Sequence, residues 1–309
     1  MIKRLLYLSG VSVLGILVVV MQGCSGGAQR ADIDNADSGV IHISVDETFK
    51  PLIDSEIQVY EALHPKAKII AEYKSQGACF KDLEKDSTRM IIVTRPLTDK
   101  EERFYKEKYY FYPTISKIAY DAIAIITSKE STDTTFYQAD LKSILDGSAG
   151  GNQKAVFDGV TGSSVLTYIQ DSLMRSKPLD PNRAFGVNGS KEVIDRVQHD
   201  KNLIGFIGVS WIGNPEDTMQ LSFLDKVNID AIQCNCPEKT FVKPYQANIV
   251  TMRYPFVRGV YYILKENYSG LGSGFGNFLE SERGQLIIRR SYLAPAKMNF
   301  TIRTAILNQ

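Results

Sequence analysis

Residues 40–49 read Val-Ile-His-Ile-Ser-Val-Asp-Glu-Thr-Phe, and this stretch decides the fold class. Apolar and polar residues alternate from Val40 to Val45, which is typical of a β-strand. The strand runs directly into residues 49–63, where apolar side chains recur on one helical face and Thr48 is a candidate N-cap. A strand that passes at once into a helix predicts the first half of a β-α-β unit.

The same alternation continues along the chain. Residues 68–73 predict a second strand, residues 79–83 a short helix after a Ser-Gln-Gly turn at 75–77, and residues 90–93 a buried third strand. Strand, helix, strand, helix, strand is the order of a parallel sheet. We therefore predict an α/β fold.

The remainder of the chain follows a similar pattern. Residues 118–127, 203–209 and 248–252 predict further strands, and residues 255–266 and 275–289 predict helices. Length and pattern together allow one large or two medium domains after the N-terminal region.

The N-terminus has the order of a secretory signal. Lys3 and Arg4 form a positive start, residues 5–20 are almost wholly apolar, and Cys24 follows after Met-Gln-Gly. This order resembles the bacterial lipoprotein signal, which implies cleavage before Cys24 and lipidation of that cysteine. An uncleaved transmembrane anchor is the alternative, although the apolar run is shorter than the ~20 residues that a span prefers. Either reading predicts a folded body in the periplasm or at the cell surface, tied to a bacterial membrane.

Composition narrows the classes of partner. Lys and Arg number 36 and Asp and Glu 35, so the net charge of +1 argues against a nucleic-acid partner. Hydrophobic residues make up 44% of the chain and charged residues 23%, which is ordinary for a globular protein. The three histidines are scattered and Cys234 and Cys236 form a Cys-x-Cys pair, which provides too few ligands for a metal site. We predict no metal and no cofactor, and leave open whether the two cysteines are bridged.

Three hydroxyl-bearing turns each lie between a strand and a helix. They are Thr48-Phe49, Ser75-Gln76-Gly77 and Thr161-Gly162-Ser163-Ser164. A helix N-terminus presents unpaired N–H groups and the positive end of the helix dipole. Such turns meet at the carboxyl ends of the strands, where α/β sheets bind ligands, so together they predict an oxyanion site. The alternative is that each hydroxyl is an ordinary N-cap.

Residues 40–296 resemble, in order, the phosphate-binding proteins of phosphate ABC importers. The most specific stretches are residues 254–258 (Tyr-Pro-Phe-Val-Arg), similar to the Tyr-Pro-Leu-x-Arg of that family, and residues 278–285, similar to its Phe-x-x-Ser-x-x-Gly-Gln. Residues 47–49 resemble the first ligand loop of the family, and residues 161–163 stand where the family has Ser-Gly-Thr.

The resemblance implies the two-lobed clamshell of type II periplasmic binding proteins, each lobe a mainly parallel sheet flanked by helices. After the signal (residues 1–24) and a polar leader (25–39), it implies a first lobe made of residues 40–118 and 247–309. The second lobe is then residues 119–246. A hinge motion would close the lobes around the ligand.

The resemblance also implies a function. The protein would be a monomer that captures inorganic phosphate without catalysis and delivers it to the permease of an ABC importer. The ligand set predicted for this function, with Phe49 acting through its backbone N–H and Asp158 as a substitute carboxylate, is Thr48, Phe49, Ser75, Thr94, Arg95, Asp158, Thr161, Gly162 and Ser163.

Two positions depart from the family pattern. Phe157 stands where the family usually has an arginine, and Thr94-Arg95 stands where it often has the aspartate that accepts the proton of phosphate. The fork of Arg95 is suited to an oxyanion, and we expect it to supply the missing cation unless it is a solvated surface charge. Asp158 and Asp46 are the candidates for the missing carboxylate.

The departures leave other functions open. The scaffold could bind sulfate, molybdate or an organic anion, or serve as an envelope sensor or adaptor without a small ligand. The aromatic cluster Tyr105, Tyr109, Tyr110, Phe111 and Tyr112 is a candidate partner surface for that role, and packing of a helix end is the alternative for it. An enzyme is disfavoured, because no G-x-S-x-G motif is present from residue 40 onward and a buried hydrophobic role suits Cys79 better than a nucleophilic one.

Overall fold

The computed structural model describes residues 34–159, 162–214 and 216–298. The predicted signal and Cys24 therefore lie outside the described residues, as does Thr161. The strands are β1 (Ser38–Asp46), β2 (Lys66–Lys74), β3 (Thr88–Val93), β4 (Thr114–Ser128), β5 (Thr135–Phe136), β6 (Lys154–Phe157), β7 (Ala184–Gly186), β8 (Leu203–Gly208), β9 (Val227–Ile229), β10 (Ala231–Gln233), β11 (Phe241–Val242), β12 (Val257–Leu264) and β13 (Ala294–Pro295).

Helices follow each of the first two strands, as the sequence predicts. The helices are α1 (Lys50–Leu63), α2 (Gln76–Leu83), α3 (Asp99–Tyr109), α4 (Gln138–Leu145), α5 (Ser164–Ser172), α6 (Ser190–Val197), α7 (Thr218–Leu224), α8 (Gln246–Val250), α9 (Leu271–Glu280) and α10 (Glu282–Arg290). Two single turns of 3-10 helix, Glu47–Phe49 and Val209–Trp211, directly follow β1 and β8. None of the helices in the described ranges has the length and hydropathy of a membrane span.

One sheet joins two halves through a long strand. Its order is β2-β1-β3-β12-β4-β8-β6-β7, with β13 and β9 also paired to β4. The first part of β4, up to Ala122, pairs with β12, and residues from Ile123 onward pair with β8. We call β1–β3, β12, β13 and their helices the first lobe, and β6–β9 with their helices the second lobe. The predicted lobe boundaries at residues 118 and 246 remain predictions.

Both lobes combine parallel and antiparallel pairs. The pairs β1–β2 and β1–β3 are parallel in the first lobe, as are β6–β7 and β6–β8 in the second. The strands next to β4 are antiparallel. Along β4, Ile123 and Ile125 pack into one apolar core and Ala124 and Ile126 into another, because successive side chains point to opposite faces. The predicted α/β class with flanking helices is confirmed.

Two predicted elements are wrong. The segment expected to be a helix, residues 255–266, contains the strand β12, and the strand expected at residues 248–252 overlaps the short helix α8. In β12 the buried positions alternate, but Arg258 occupies one of them and is only 4% exposed. A buried arginine hides the two-residue apolar period on which the prediction depends.

Candidate ligand-binding cleft

A cleft of about 350 Å³ opens where the strands of the two lobes end. Asp46 and Lys74 are the last residues of β1 and β2, and Asp158 directly follows β6. This is the carboxyl edge at which α/β sheets bind ligands. The lining residues are Asp46, Glu47, Tyr73, Lys74, Ser75, Asp158, Ser163, Asn188 and Gly189.

Asp158 is the centre of a hydroxyl network that joins the lobes. One of its carboxylate oxygens accepts a hydrogen bond from Thr48 of the first lobe at 3.3 Å, and the other accepts one from Ser163. Ser163 is also the N-cap of α5, since its hydroxyl accepts from the Leu166 N–H at 3.2 Å. Burial raises the pKa of Asp158 to about 6, although its bond from Ser163 works in the opposite direction. Three predicted site residues therefore do meet.

Asp46 has one carboxylate oxygen, Oδ2, without a hydrogen-bond donor among the described residues. Its Oδ1 accepts from the Thr48 N–H at 3.0 Å, while its buried Oδ2 has no hydrogen-bond partner among the described residues. The Asp46 residue is 2% exposed, so water does not freely replace the missing partner. Ser210 holds the same turn in place, because its hydroxyl donates to the Thr48 carbonyl at 2.6 Å. An unpaired buried carboxylate oxygen costs free energy, and a ligand that carries a proton would offset that cost.

Glu47 reaches from the first lobe to the start of α6 in the second. Its carboxylate oxygens accept hydrogen bonds from the N–H and the hydroxyl of Ser190, at 3.2 and 3.1 Å. Burial, followed by repulsion from Asp158, raises the pKa of Glu47 to about 7. Glu47 is not among the predicted ligand residues; the available signal was a carboxylate beside Thr48 in the loop that resembles the first ligand loop of the family.

The glycine-bearing turns of the two lobes touch. The Gly77 N–H, in the first turn of α2, donates to the Gly162 carbonyl at 3.1 Å. Gly162 has a φ of +72°, a conformation that favours glycine, and a Cβ there would lie 3.4 Å from the Ser75 hydroxyl. Two of the predicted turns, those of Ser75-Gln76-Gly77 and Gly162-Ser163-Ser164, therefore lie side by side.

Arg95 lies away from this cluster. Its guanidinium makes two hydrogen bonds to Glu101, at 2.8 and 2.9 Å, and stacks 3.9 Å from the centre of the Phe80 ring. Its side chain is 42% exposed. The expectation that Arg95 supplies the missing cation is not met by this arrangement, since Glu101 already neutralises it. Thr94 is engaged as well, because its N–H and hydroxyl both donate to Gln76 Oε1.

The cation nearest the hydroxyl network comes from β12 instead. Arg258 forms a buried ion pair with Asp121 of β4 at 2.8 Å and donates to the Ser164 hydroxyl, at the start of α5, at 2.9 Å. Its guanidinium also lies 5.5 Å from the centre of the Phe49 ring. Phe157 is 1% exposed and stacks on Phe206, which excludes it from ligand contact. The motif at residues 254–258 was the available signal for Arg258.

The charge of the lining is unusual for an anion site. Asp46, Glu47 and Asp158 contribute carboxyl groups, and the opposing lining cation, Lys74, is paired with Asp82 at 2.5 Å and with Glu72 at 2.7 Å. A fully ionised oxyanion would meet repulsion here unless it or a carboxyl group carries a proton.

The cysteines of the described residues are buried or bridged. Cys79 is buried and burial raises the pKa of its thiol, which disfavours a nucleophilic thiolate. Cys234 and Cys236 form a disulfide. Within the described part of the chain, no group of three or more His, Cys, Asp or Glu side chains is arranged to hold a metal ion.

Sequence comparison finds relatives of this chain among phosphate-binding proteins. A phosphate-binding protein PstS from Borreliella burgdorferi is 23% identical over 265 residues, covering 81% of this chain and 87% of the relative. A protein of the same name from Pseudomonas aeruginosa is 23% identical over 281 residues, 82% of each chain.

Solved structures share the fold. A protein of Clostridium perfringens, provisionally named a phosphate ABC transporter substrate-binding protein and solved with bound phosphate, superposes with a TM-score of 0.70 at 21% identity. The match covers 84% of this chain and all of that one. An ABC-type phosphate transport receptor from Vibrio cholerae superposes with a TM-score of 0.60 at 19% identity, over 83% of this chain and all of the receptor. These similarities confirm the predicted two-lobed architecture.

A family model identifies the superfamily to which the chain belongs. A model described as a PBP superfamily domain matches residues 30–283, which is most of the chain. The predicted resemblance to solute-binding proteins is thereby confirmed at the level of the family, and the chain belongs to the PBP superfamily.

Proposed function

We propose that this protein is an extracytoplasmic solute-binding lipoprotein that captures inorganic phosphate between its lobes and delivers it to an ABC importer. The printed names of its relatives support the ligand class, and so does the position of the cleft at the strand ends of both lobes. The function needs no chemical step, so the protein is proposed to bind without catalysis, as a monomer anchored through Cys24.

The observation that carries the ligand assignment is the unpaired Oδ2 of Asp46. Phosphate keeps a proton near neutral pH and can donate it, whereas sulfate is fully ionised and cannot. A buried acceptor with no partner therefore stabilises protonated phosphate and repels sulfate. In place of Arg95, Arg258 brings a guanidinium to the network through its hydrogen bond to the Ser164 hydroxyl, with its charge paired to Asp121.

The first prediction concerns this acceptor. Replacement of Asp46 by asparagine, with its oxygen toward the Thr48 N–H, keeps that bond and puts an amide donor in the position of Oδ2. We expect phosphate affinity to fall at least tenfold, because a charge-assisted hydrogen bond of about 1.5–3 kcal/mol is lost, and sulfate affinity to change little or rise. Isothermal titration calorimetry with each anion measures both effects.

A matched control is Asp195→Asn, which alters a carboxylate on α6 that pairs with Lys226 at 3.6 Å, outside the cleft lining. It should bind phosphate as the unaltered protein does. Unchanged phosphate affinity in Asp46→Asn would remove Asp46 from the ligand set.

A second candidate function keeps the scaffold and changes the ligand. Phe157 is packed against Phe206 where the resembling family has an arginine, and three carboxyl groups line the cleft. These two features would also suit an organic ligand that carries hydrogen-bond donors, or an envelope sensor with no small ligand. Absence of heat with both phosphate and sulfate, from a protein shown to be folded, would favour this candidate.

A further inference from the structure

The strongest unexplained feature of the cleft is the position of Glu47. Its carboxylate lies in the same lining as Asp46 and Asp158, and repulsion from Asp158 is among the causes that raise its pKa. Like charges placed this close are destabilising unless specific donors hold them. The donors come from Ser190, at the first residue of α6, which belongs to the other lobe.

The backbone at the start of α6 is shaped to admit this carboxylate. Gly189, the N-cap of α6, has a φ of +87°, and a Cβ at that position would lie 2.8 Å from Glu47 Oε1. The Gly189 N–H donates to the Asp158 carbonyl at 3.2 Å, which fixes the start of α6 beside the hydroxyl network. The favourable end of the helix dipole and two hydrogen bonds thus act on one carboxylate.

The contact has a counterpart in the opposite direction. Glu47, from the first lobe, binds a donor of the second lobe, and Asp158, from the second lobe, accepts from Thr48 of the first at 3.3 Å. Glu47 and Thr48 belong to the same 3-10 turn. A single turn therefore makes reciprocal contacts across the cleft, and only Asp158 and Thr48 in this set belong to the ligand residues predicted above.

We propose that Glu47 is a positioning residue: its carboxylate, bound at the start of α6, clasps the two lobes and holds the closed geometry in which the cleft retains its ligand. We call the contacts of Glu47 with Ser190 the interlobe clasp. Because these contacts span the two lobes, opening the cleft breaks them. The clasp therefore favours the closed state and slows release of whatever lies between the lobes. Its effect on phosphate release rests on the function proposed above, whereas its effect on lobe closure does not.

The test separates lobe closure from ligand binding. Spin labels at positions 66 and 171, exposed in the first and second lobe respectively, report the interlobe distance by double electron–electron resonance without any ligand. Stopped-flow mixing with inorganic phosphate, followed through a fluorescent pair at the same positions, gives the association and dissociation rates. The variants are Glu47→Ala, Glu47→Gln, Ser190→Ala and the double variant Glu47→Ala/Ser190→Ala.

The expected results follow from which contacts each variant removes. In Glu47→Ala the ligand-free distances lengthen and phosphate dissociates at least tenfold faster, while its association is not slowed. Glu47→Gln, which retains an acceptor, and Ser190→Ala, which removes one donor, show smaller changes in the same direction. The double variant shows no more than Glu47→Ala alone, because both residues serve one contact.

A control and two contrary outcomes complete the test. Glu61→Gln changes a carboxylate of α1 that binds Lys68 and the Ile69 N–H within the first lobe, and it should leave both readouts unchanged. Unchanged ligand-free distances in Glu47→Ala would overturn the clasp, whether or not phosphate binds. If the unaltered protein does not bind phosphate, the proposed function fails, and the distance measurement still decides on the clasp.

Discussion

At the scale of single residues, the molecule buries several charged groups in its interior. Arg258 and Asp121 form a buried pair at the junction of the lobes, and burial raises the pKa of Asp121 although Arg258 opposes that shift. Removal of one partner from such a pair is strongly destabilising because it leaves an uncompensated charge. Arg258 also reaches the Ser164 hydroxyl, so the same side chain supports the fold and the proposed anion site.

Glu56 is the simplest residue-scale case, because neither of its carboxylate oxygens has a hydrogen-bond partner within the described residues. It lies on the buried face of α1, and burial raises its pKa from 4.5 to about 9. The native state therefore holds a proton that the unfolded chain releases above pH 4.5. Stability from this group is complete below about pH 4.5 and is lost as the pH rises toward 9.

We accordingly predict that Glu56→Gln, which stays neutral at every pH, raises the melting temperature more at pH 8 than at pH 5. Differential scanning calorimetry at the two pH values measures the difference. Glu61→Gln, on the same helix but in contact with Lys68, is the matched control and should show no such pH-dependent gain. An equal shift at both pH values would mean that Glu56 is ionised in the folded protein.

At the scale of elements, a strand end of one lobe packs against a turn of the other. Gly208, the last residue of β8, lies directly beneath the turn that carries Thr48. A Cβ at Gly208 would lie 2.1 Å from Thr48 Cγ2, a distance that real atoms do not tolerate. Close packing of strand end against turn therefore fixes where the Thr48 hydroxyl points.

Replacement of Gly208 by alanine is expected to push Thr48 away from Asp158 and to weaken phosphate binding about tenfold or more. The reason is that ligand sites depend on side chains held by packing to within about 0.5 Å. Calorimetric titration measures the loss, and circular dichroism checks that the fold survives. Gly150→Ala is the matched control, because nothing lies within 4 Å of its added Cβ. Phosphate affinity equal to that of the control would show that this strand end does not position the site.

Some helices and strands could be predicted from the sequence alone, and others could not. Alternation at residues 40–45 and the helical face at 49–63 predict β1 and α1 because each has one apolar face. The hydroxyl-bearing turns predict the place of the cleft because they meet at the carboxyl ends of the strands. The strand β12 was not predicted, because its buried Arg258 interrupts the alternation of apolar residues. No pattern along the chain indicates that Arg95 pairs with Glu101 or that Ser190 donates to Glu47. Those contacts join residues that only the tertiary fold brings together.

At the scale of the whole molecule, two lobes meet over a cleft that is rich in carboxyl groups. Membership of the PBP superfamily gives the scaffold, and the carboxyl groups of Asp46, Glu47 and Asp158 line its cleft. We propose that Asp46 selects the ligand, that Glu47 favours lobe closure and that Arg258 supports the hydroxyl network through Ser164. The roles of Asp46 and Arg258 share one premise, which is that protonated phosphate binds between the lobes; the effect of Glu47 on lobe closure does not depend on it.

The most direct measurement of that premise is a titration of the protein that begins after Cys24 with phosphate and with sulfate, at pH 6 and pH 8. The pKa of Asp158 is about 6 and that of Glu47 about 7, so the cleft carries less negative charge at the lower pH. We predict that phosphate binds, that it binds more tightly at pH 6, and that sulfate binds at least tenfold more weakly at both pH values. Equal affinity for the two anions, or no binding of either, would contradict this prediction.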